Sequence, residues 1–469
     1  MNQKLTPLYT ALKNHVRKKS YSFHVPGHKN GEVGWNNEAF RSFLPYDVTE
    51  LSGLDDLHAP EDVIKNAESL LSDYYKTSES YFLVGGSTVG NLAMILATCN
   101  ENDTVFVQRN CHKSVLNGLK LANVNPIFLD PEWDEHTQSP GGVSVSTLKN
   151  ALSTYDGVKA CIFTYPTYYG VTYSLESLIE VAHEKNIVVL VDEAHGPHLR
   201  SECLPLLSAI QLGADIVVHS AHKILPAMTM GSFLHINSDR VSVEAVKTYL
   251  SVLQSSSPSY PIMASLDIAR KFIASFKEVD WRYTMEERQA FLEVLQSMEG
   301  MEVIECNDPI KLLLRPINTT GYALQKALEQ FNIFPELADP YQVLLMVPLL
   351  RHTEESYLRK AAEVLKNLPA INVPHAVGRT SSTNADKIKA LSISYREAKV
   401  RRKTLVNLEN TAGKVSAEMV IPYPPGIPLF MEGETISEAA LQQLRLLIKQ
   451  GAHFQGNHKL EHGKLYVYD

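Results

Sequence analysis

Four short stretches place reactive side chains where an apolar run gives way to a turn. SAHK (220–223) follows DIVVH, and VDEAHG sets Asp192 at the end of IVVLVD. A lysine amine in apolar surroundings loses its proton more readily and becomes a nucleophile. An aspartate at a strand end supplies a fixed negative charge. In LVGGSTVGNLAM (83–94), Gly85 and Gly86 lead into Ser87 and Thr88 at the start of a helical stretch. Amides at a helix start, joined by two hydroxyls, suit a phosphate. In QRNCHKS (108–114), His112 starts the next helix. An imidazole there can stack on a flat ring or move a proton. Singly, each feature has an ordinary reading: a surface lysine, a turn-forming aspartate, a plain strand–turn–helix junction, a capping histidine.

Taken together, the four describe a grip on one kind of molecule. An amine can condense with an aldehyde, a carboxylate keeps a pyridine nitrogen protonated, and the Gly-Ser-Thr turn cradles a phosphate. That set points to pyridoxal 5'-phosphate (PLP). A dinucleotide fingerprint fails, because the glycines lack G-x-G-x-x-G spacing and the next strand ends FVQR without an acid. A P-loop fails for want of Gly-Lys-Ser/Thr. Asp192, His195 and His198 are spaced D-x-x-H-x-x-H, with His219 and His222 near, and zinc accepts such ligands. That reading leaves Lys223 and the Gly-Ser-Thr turn without a purpose, so no metal is expected.

These side chains need a scaffold that brings strand ends together. Short Val-, Ile-, Leu- and Phe-rich runs predict strands at 81–84, 104–108, 126–129, 160–164, 188–191, 216–219 and 232–236. Periodic stretches at 89–98, 114–122, 145–155, 175–184 and 205–212 predict helices between them. The alternation gives an α/β fold with a mainly parallel, seven-stranded sheet covered on both faces. Its loops after the strand C-termini share one edge, where open α/β sheets bind ligands. Residues 1–60 read as an irregular arm and 61–299 as the large PLP-binding domain. Residues 300–368 read as a small α+β domain and 388–469 as a C-terminal domain. The Pro-, Gly- and Ser-containing stretch 369–387 is the linker candidate.

The 469 residues carry a formal net charge of −8, with 44% hydrophobic and 20% charged residues. Such a chain can bury a large core and has no electrostatic footprint for nucleic acid or an anionic membrane. Its one basic cluster, at 396–403, is interrupted by Glu397 and apolar residues and reads as a solvated face. Cys99, Cys111, Cys161, Cys203 and Cys306 form no C-x-x-C pair, which fits a reducing compartment. No secretory signal and no stretch of ~18 apolar residues is present, so a cytoplasmic location is expected.

The motifs, in this order, resemble the fold-type I PLP enzymes and, within them, the bacterial ornithine/lysine/arginine decarboxylases. The resemblance extends to FHVPGHKNG (23–31), ELSGLDDLHAP (50–60), TYPTYYG (164–170), SSSPSYPIMASLD (255–267) and VIPYPPGIPL (420–429), and so covers nearly the whole chain. It implies an aspartate aminotransferase-like large domain and decarboxylation of lysine, arginine or ornithine, feeding polyamine metabolism. Lys223 matches the Schiff-base lysine, Asp192 the partner of the ring nitrogen, and His112 the histidine stacked on the ring. Ala194 matches the small residue on the other ring face. Ser87, Thr88, Ser220 and His222 match phosphate contacts, and His195 falls among the cofactor-binding residues. Ser257 matches a segment that reaches the phosphate of a neighbouring subunit, which implies a homodimer or higher homo-oligomer with interfacial sites. Larger family members begin with a receiver-like wing. Here PGHK starts at residue 26, so the short form typical of Gram-positive bacteria is expected.

The sequence leaves the amino acid open. Asp55, Asp56 and Glu418 are candidates for binding its distal charge. An aminotransferase or carbon–sulfur lyase on the same fold is the rival, with Arg396 as a candidate grip on the α-carboxylate. A fold relative that has lost catalysis is the remaining reading.

Overall fold

The computed structural model describes residues 1–34, 38–366, 387–422, 427–456 and 459–469. In chain order its first nine strands are β1 (Glu79–Leu83), β2 (Thr104–Gln108), β3 (Asn125–Leu129), β4 (Trp133–Asp134), β5 (Ser139–Pro140), β6 (Val158–Thr164), β7 (Val188–Asp192), β8 (Ile216–His219) and β9 (Ser232–Ile236). The helices before and among them are α1 (Pro7–Arg17), α2 (Glu38–Phe43), α3 (Val63–Tyr75), α4 (Gly86–Thr98), α5 (Lys113–Ala122), α6 (Val145–Thr154), α7 (Leu175–Glu184), α8 (Ala221–Ile224), α9 (Val243–Leu253) and α10 (Tyr260–Ala274). All seven expected strands form. The chain divides into two compact units, one of Met1–Thr98 with Val188–Lys277, the other of Cys99–Ile187 with Glu278–Asp469.

In the first unit the strands lie in the order β1-β9-β8-β7. β7 and β8 are parallel, and β9 is antiparallel to both β8 and β1. Three of the four therefore run the same way. Their residues are almost all buried, which is why they read as continuous apolar runs and not as alternating ones. Because β1, β7 and β8 share a direction, their C-terminal ends fall on one edge. The turns carrying Ser87, Asp192 and Lys223 leave from that edge. α4 packs close to this sheet because residue 90 is glycine: a Cβ there would lie 2.8 Å from Leu83 Cδ1 and Val218 Cγ1.

The expectation of an irregular arm before residue 60 needs correction at its start. α1 packs against α3 and α10, burying Leu8 and Leu12 completely. The two leucines contribute about 3–6 kcal/mol, enough to hold a helix too short to persist alone. The Leu8 and Tyr9 amides at its start donate to the Asp267 carboxylate of α10 at 3.1 and 3.3 Å. The helix expected at 205–212 is also absent. Turns take its place, because the Ser208 hydroxyl and the Ala209 amide donate to the Glu193 carboxylate, at 2.6 and 2.7 Å.

In the second unit β6, β2 and β3 are neighbours in that order, and both ladders on β2 are parallel. An eighth strand, β14 (Ile388–Ala390), adds antiparallel to β3 and was not expected. β4 and β5 form a two-residue ladder. A separate four-stranded antiparallel sheet has the order β10-β11-β13-β12: β10 (Met301–Glu305), β11 (Lys311–Pro316), β12 (Leu337–Ala338) and β13 (Val343–Met346). α11 (Glu278–Gln296), α12 (Gly321–Gln330) and α13 (Tyr357–Leu365) accompany it. Beyond β14 and α14 (Tyr395–Val400), the antiparallel pair β15 (Lys403–Asn407) and β16 (Lys464–Tyr468), with α15 (Glu438–Lys449), surround a core that includes Val420, Phe430, Leu444 and Leu465. The linker candidate 369–387 lies outside the described residues except for Lys387, as do residues 423–426 of VIPYPPGIPL.

Candidate active site

Asp192 closes β7 and is 3% exposed. Its Oδ2 accepts from Asn91 Nδ2 at 2.8 Å, and its Oδ1 accepts from the Ala194 amide at 3.1 Å. The carboxylate is thus held from both oxygens. Asn91 lies one turn after Ser87 on α4, so both face the same side of that helix. The sequence reading missed Asn91. A polar residue inside the apolar run VGNLAM, fully buried, was the available signal.

The phosphate-type residues also meet. Ser220 Oγ donates to Ser87 Oγ at 2.8 Å, joining the start of α8 to the first turn of α4. The first-turn amides of a helix point the same way as its positive dipole end. Thr88, in that turn, is exposed. The His222 ring Nδ1 and its backbone amide both donate to the Gly231 carbonyl, at 3.0 and 3.1 Å.

Lys223 sits in α8, four residues long, hung directly on the end of β8. Its Nζ lies 3.0 Å from His195 Nε2, within hydrogen-bonding distance. Ala194 stands between Asp192 and His195, and its carbonyl accepts from the Ser220 amide at 3.3 Å. The first unit therefore brings together Ser87, Asp192, Ala194, His195, Ser220 and Lys223. Ser257 is on an exposed loop between α9 and α10, with its amide donating to Ser255 Oγ at 3.3 Å. His112 belongs to the second unit. It is exposed and caps α5, its Nδ1 accepting from the Ser114 amide at 3.2 Å.

The donor set fits PLP. A lysine amine suits an aldehyde, a buried and doubly held carboxylate suits a ring nitrogen that must stay protonated, and two touching hydroxyls at a helix start suit a phosphate. Among the described residues no group of three His, Cys, Asp or Glu side chains could hold a metal ion.

The candidates for a distal charge are engaged with backbone. Asp55 caps α3, accepting from the amides of Glu61, Asp62 and Ile64 at 2.9–3.0 Å. Burial pushes its pKa up, but these amides and that of Asp56 outweigh it and hold the carboxyl below its usual range. Asp56 accepts from the His58 amide at 2.8 Å, and Glu418 from the Tyr466 amide at 2.8 Å. Arg396, the candidate of the rival reading, has a side chain 76% exposed, 3.9 Å from Glu101.

Residues 6–315 match the family model described as Orn/Lys/Arg decarboxylase, major domain, and residues 380–466 match that of the C-terminal domain. The chain is 45% identical to the uncharacterized protein YaaO of Bacillus subtilis (strain 168), covering 99% of this chain and 98% of that one. It is 33% identical to an arginine decarboxylase of the same organism, covering 97% and 96%. Among solved structures it is similar in fold to the Francisella novicida lysine decarboxylase LdcF, with a TM-score of 0.80 at 20% identity over 99% of this chain and 81% of that one.

Proposed function

Because the chain belongs to the Orn/Lys/Arg decarboxylase family, we propose that it is a PLP-dependent enzyme that converts a basic amino acid to the corresponding amine and CO2. The observation that carries this is the convergence of Lys223, the doubly held Asp192 and the Ser87–Ser220 pair on one sheet edge. When bound, PLP supplies the electron sink for the pair released as the carboxylate leaves. Lys223 holds the cofactor through its ε-amine, and Asp192 keeps the ring nitrogen protonated. Ser87, Ser220 and the first-turn amides of α4 hold the phosphate. His195, 3.0 Å from Lys223 Nζ, holds or accepts a proton there. The parts of His112, Thr88, His222 and Ser257 rest on the resemblance of their segments.

Arginine is the first substrate to test, since a relative 33% identical over almost the whole chain is named an arginine decarboxylase. Lysine and ornithine follow, and the amine product places the reaction in polyamine metabolism. The surface ion pair of Arg396 weighs against the aminotransferase reading. We assign the arm, large, small and C-terminal domains the bounds 1–60, 61–299, 300–368 and 388–469. A homodimer is proposed with them, supported by an apolar stretch left open in the arm: Tyr21 is 95% and Phe23 96% exposed. Among the described residues no helix is long and apolar enough to cross a membrane, which accords with a cytoplasmic enzyme.

The test is amine release from arginine, lysine and ornithine, each offered to the PLP-loaded protein. Agmatine, cadaverine or putrescine identifies the substrate. Keto acid in place of amine moves the reaction to transamination. Lys223→Ala is expected to abolish both the yellow absorbance of the lysine-bound cofactor and turnover; retained activity sinks the assignment.

A further inference from the structure

A second polar network lies directly beneath the site and takes no part in the roles above. Glu193 follows Asp192 and is fully buried, as are His219, the last residue of β8, and His235 of β9. Glu193 Oε2 is 2.6 Å from His219 Nε2, and His219 Nδ1 is 3.1 Å from His235 Nε2. His235 Nδ1 is 2.7 Å from the Ser80 hydroxyl on β1, which is 2.7 Å from the Thr77 hydroxyl. Glu193 also accepts from the Ser208 hydroxyl and the Ala209 amide. The network thus links β1, β9, β8 and the turn that follows β7.

Hydrogen-bond bookkeeping along the network allows an arrangement in which each imidazole donates once and accepts once. The oxygen that faces His219 Nε2, Glu193 Oε2, also accepts from the Ser208 hydroxyl. His219 then donates from Nε2 and accepts at Nδ1. His235 donates from Nε2 and accepts the Ser80 proton at Nδ1, and Ser80 accepts from Thr77. Burial, together with neighbouring His219, pushes the His235 pKa well below its ordinary value, which agrees with a neutral ring. Two further features fix Glu193. A Cβ at Gly196 would lie 2.4 Å from Glu193 Cγ, so glycine leaves room for the folded-back side chain. Tyr75 packs against both imidazoles and donates to the Pro197 carbonyl at 2.6 Å, pinning the far side of the same turn.

We infer that Glu193 is a positioning residue for the reaction: anchored by His219, Ser208 and Ala209, it fixes the turn that carries Asp192 against the strand end that carries Ser220 and Lys223. The backbone agrees, since the Glu193 amide donates to the Val218 carbonyl at 3.0 Å and the Ser220 amide to that of Ala194. Satisfied polar networks in a core specify one geometry, and a misplaced group loses rate steeply. This inference rests on the PLP decarboxylase reading.

Glu193→Gln keeps the shape and removes the charge, so an amide NH2 must face one of three donors. The PLP dissociation constant is expected to rise about tenfold, the size usual when a group that orients a ligand is altered and not the ligand itself. With cofactor saturating, kcat on arginine or lysine, whichever is turned over, should fall about tenfold while KM stays within about twofold. Amide hydrogen exchange in the cofactor-free protein should quicken at Ala194 and Ser220. Ser80→Ala cuts the relay at its far end and should move all three readouts the same way, more weakly. Wild-type PLP affinity, kcat and amide exchange in Glu193→Gln, whatever its melting temperature, would reduce Glu193 to a packing residue. If that variant does not fold, unchanged PLP affinity, kcat and exchange in Ser80→Ala would overturn the inference equally. A wild-type protein that takes up no PLP would sink the cofactor reading instead, and exchange at Ala194 and Ser220 would still decide whether Glu193 holds the turn.

Discussion

Asn91 is the side chain on which the proposed chemistry leans most without touching a reacting atom. It is fully buried in α4 and donates to Asp192 Oδ2. Asn91→Ala leaves that oxygen short of a hydrogen bond, at a cost of about 1–3 kcal/mol. A lower urea midpoint is expected, together with PLP affinity weakened about tenfold, as when an orienting partner is removed. A cofactor titration unchanged from wild type would show that Asp192 needs no such support. Lys223 and Asp192 could be picked out in the sequence because Asp192 ends, and Lys223 closely follows, a run rich in β-branched residues, a local signal. Asn91 and Glu193 were not, because their importance comes from partners that are distant in sequence: Asp192 is 101 residues from Asn91, and His219 is 26 from Glu193.

α3 carries a feature of the same kind at the level of an element. Glu68 is buried on the face packed against β1, with its Oε1 accepting from the Phe82 amide at 3.0 Å. Burial raises its pKa to about 8, with the Phe82 amide and Lys65 pulling the other way. The folded state thus keeps a proton that the unfolded chain gives up from about pH 4.5. Stability from this group is full below that pH and is lost as pH rises toward 8, by up to about 4 kcal/mol. Glu68→Gln keeps the acceptor oxygen and removes the titration. Its melting temperature is expected to exceed wild type at pH 8 and to match it near pH 5; parallel pH profiles would refute the account. All seven strands were readable, since strands buried on both faces are short continuous apolar runs. The stretch 205–212 was misread because periodicity cannot reveal that its hydroxyl and amide are claimed by a carboxylate.

For the whole molecule, the proposed dimer draws its support from the arm, where Tyr21 and Phe23 lie almost wholly exposed. Sedimentation at micromolar concentration is expected to report a dimer, and replacing both residues with Ser should shift it toward monomer. A wild-type protein that stays monomeric removes the proposed interfacial role of Ser257 as well. Order along the chain did not foretell how the C-terminal segment joins the fold, because Ile388 pairs with Leu129 across more than half the sequence.

That pairing bears on solubility. Without β14, β3 would end its sheet as a strand apolar from Pro126 to Leu129 with one row of backbone groups open, a template for other chains. β14 covers that row with three residues centred on Lys389, whose ammonium lies 3.6 Å from Asp130. A short strand bearing a lysine is a poor template for further addition. Beyond any part in the chemistry, the C-terminal segment therefore acts as a guard against aggregation, and a chain cut before residue 388 would reveal the loss first in the insoluble fraction.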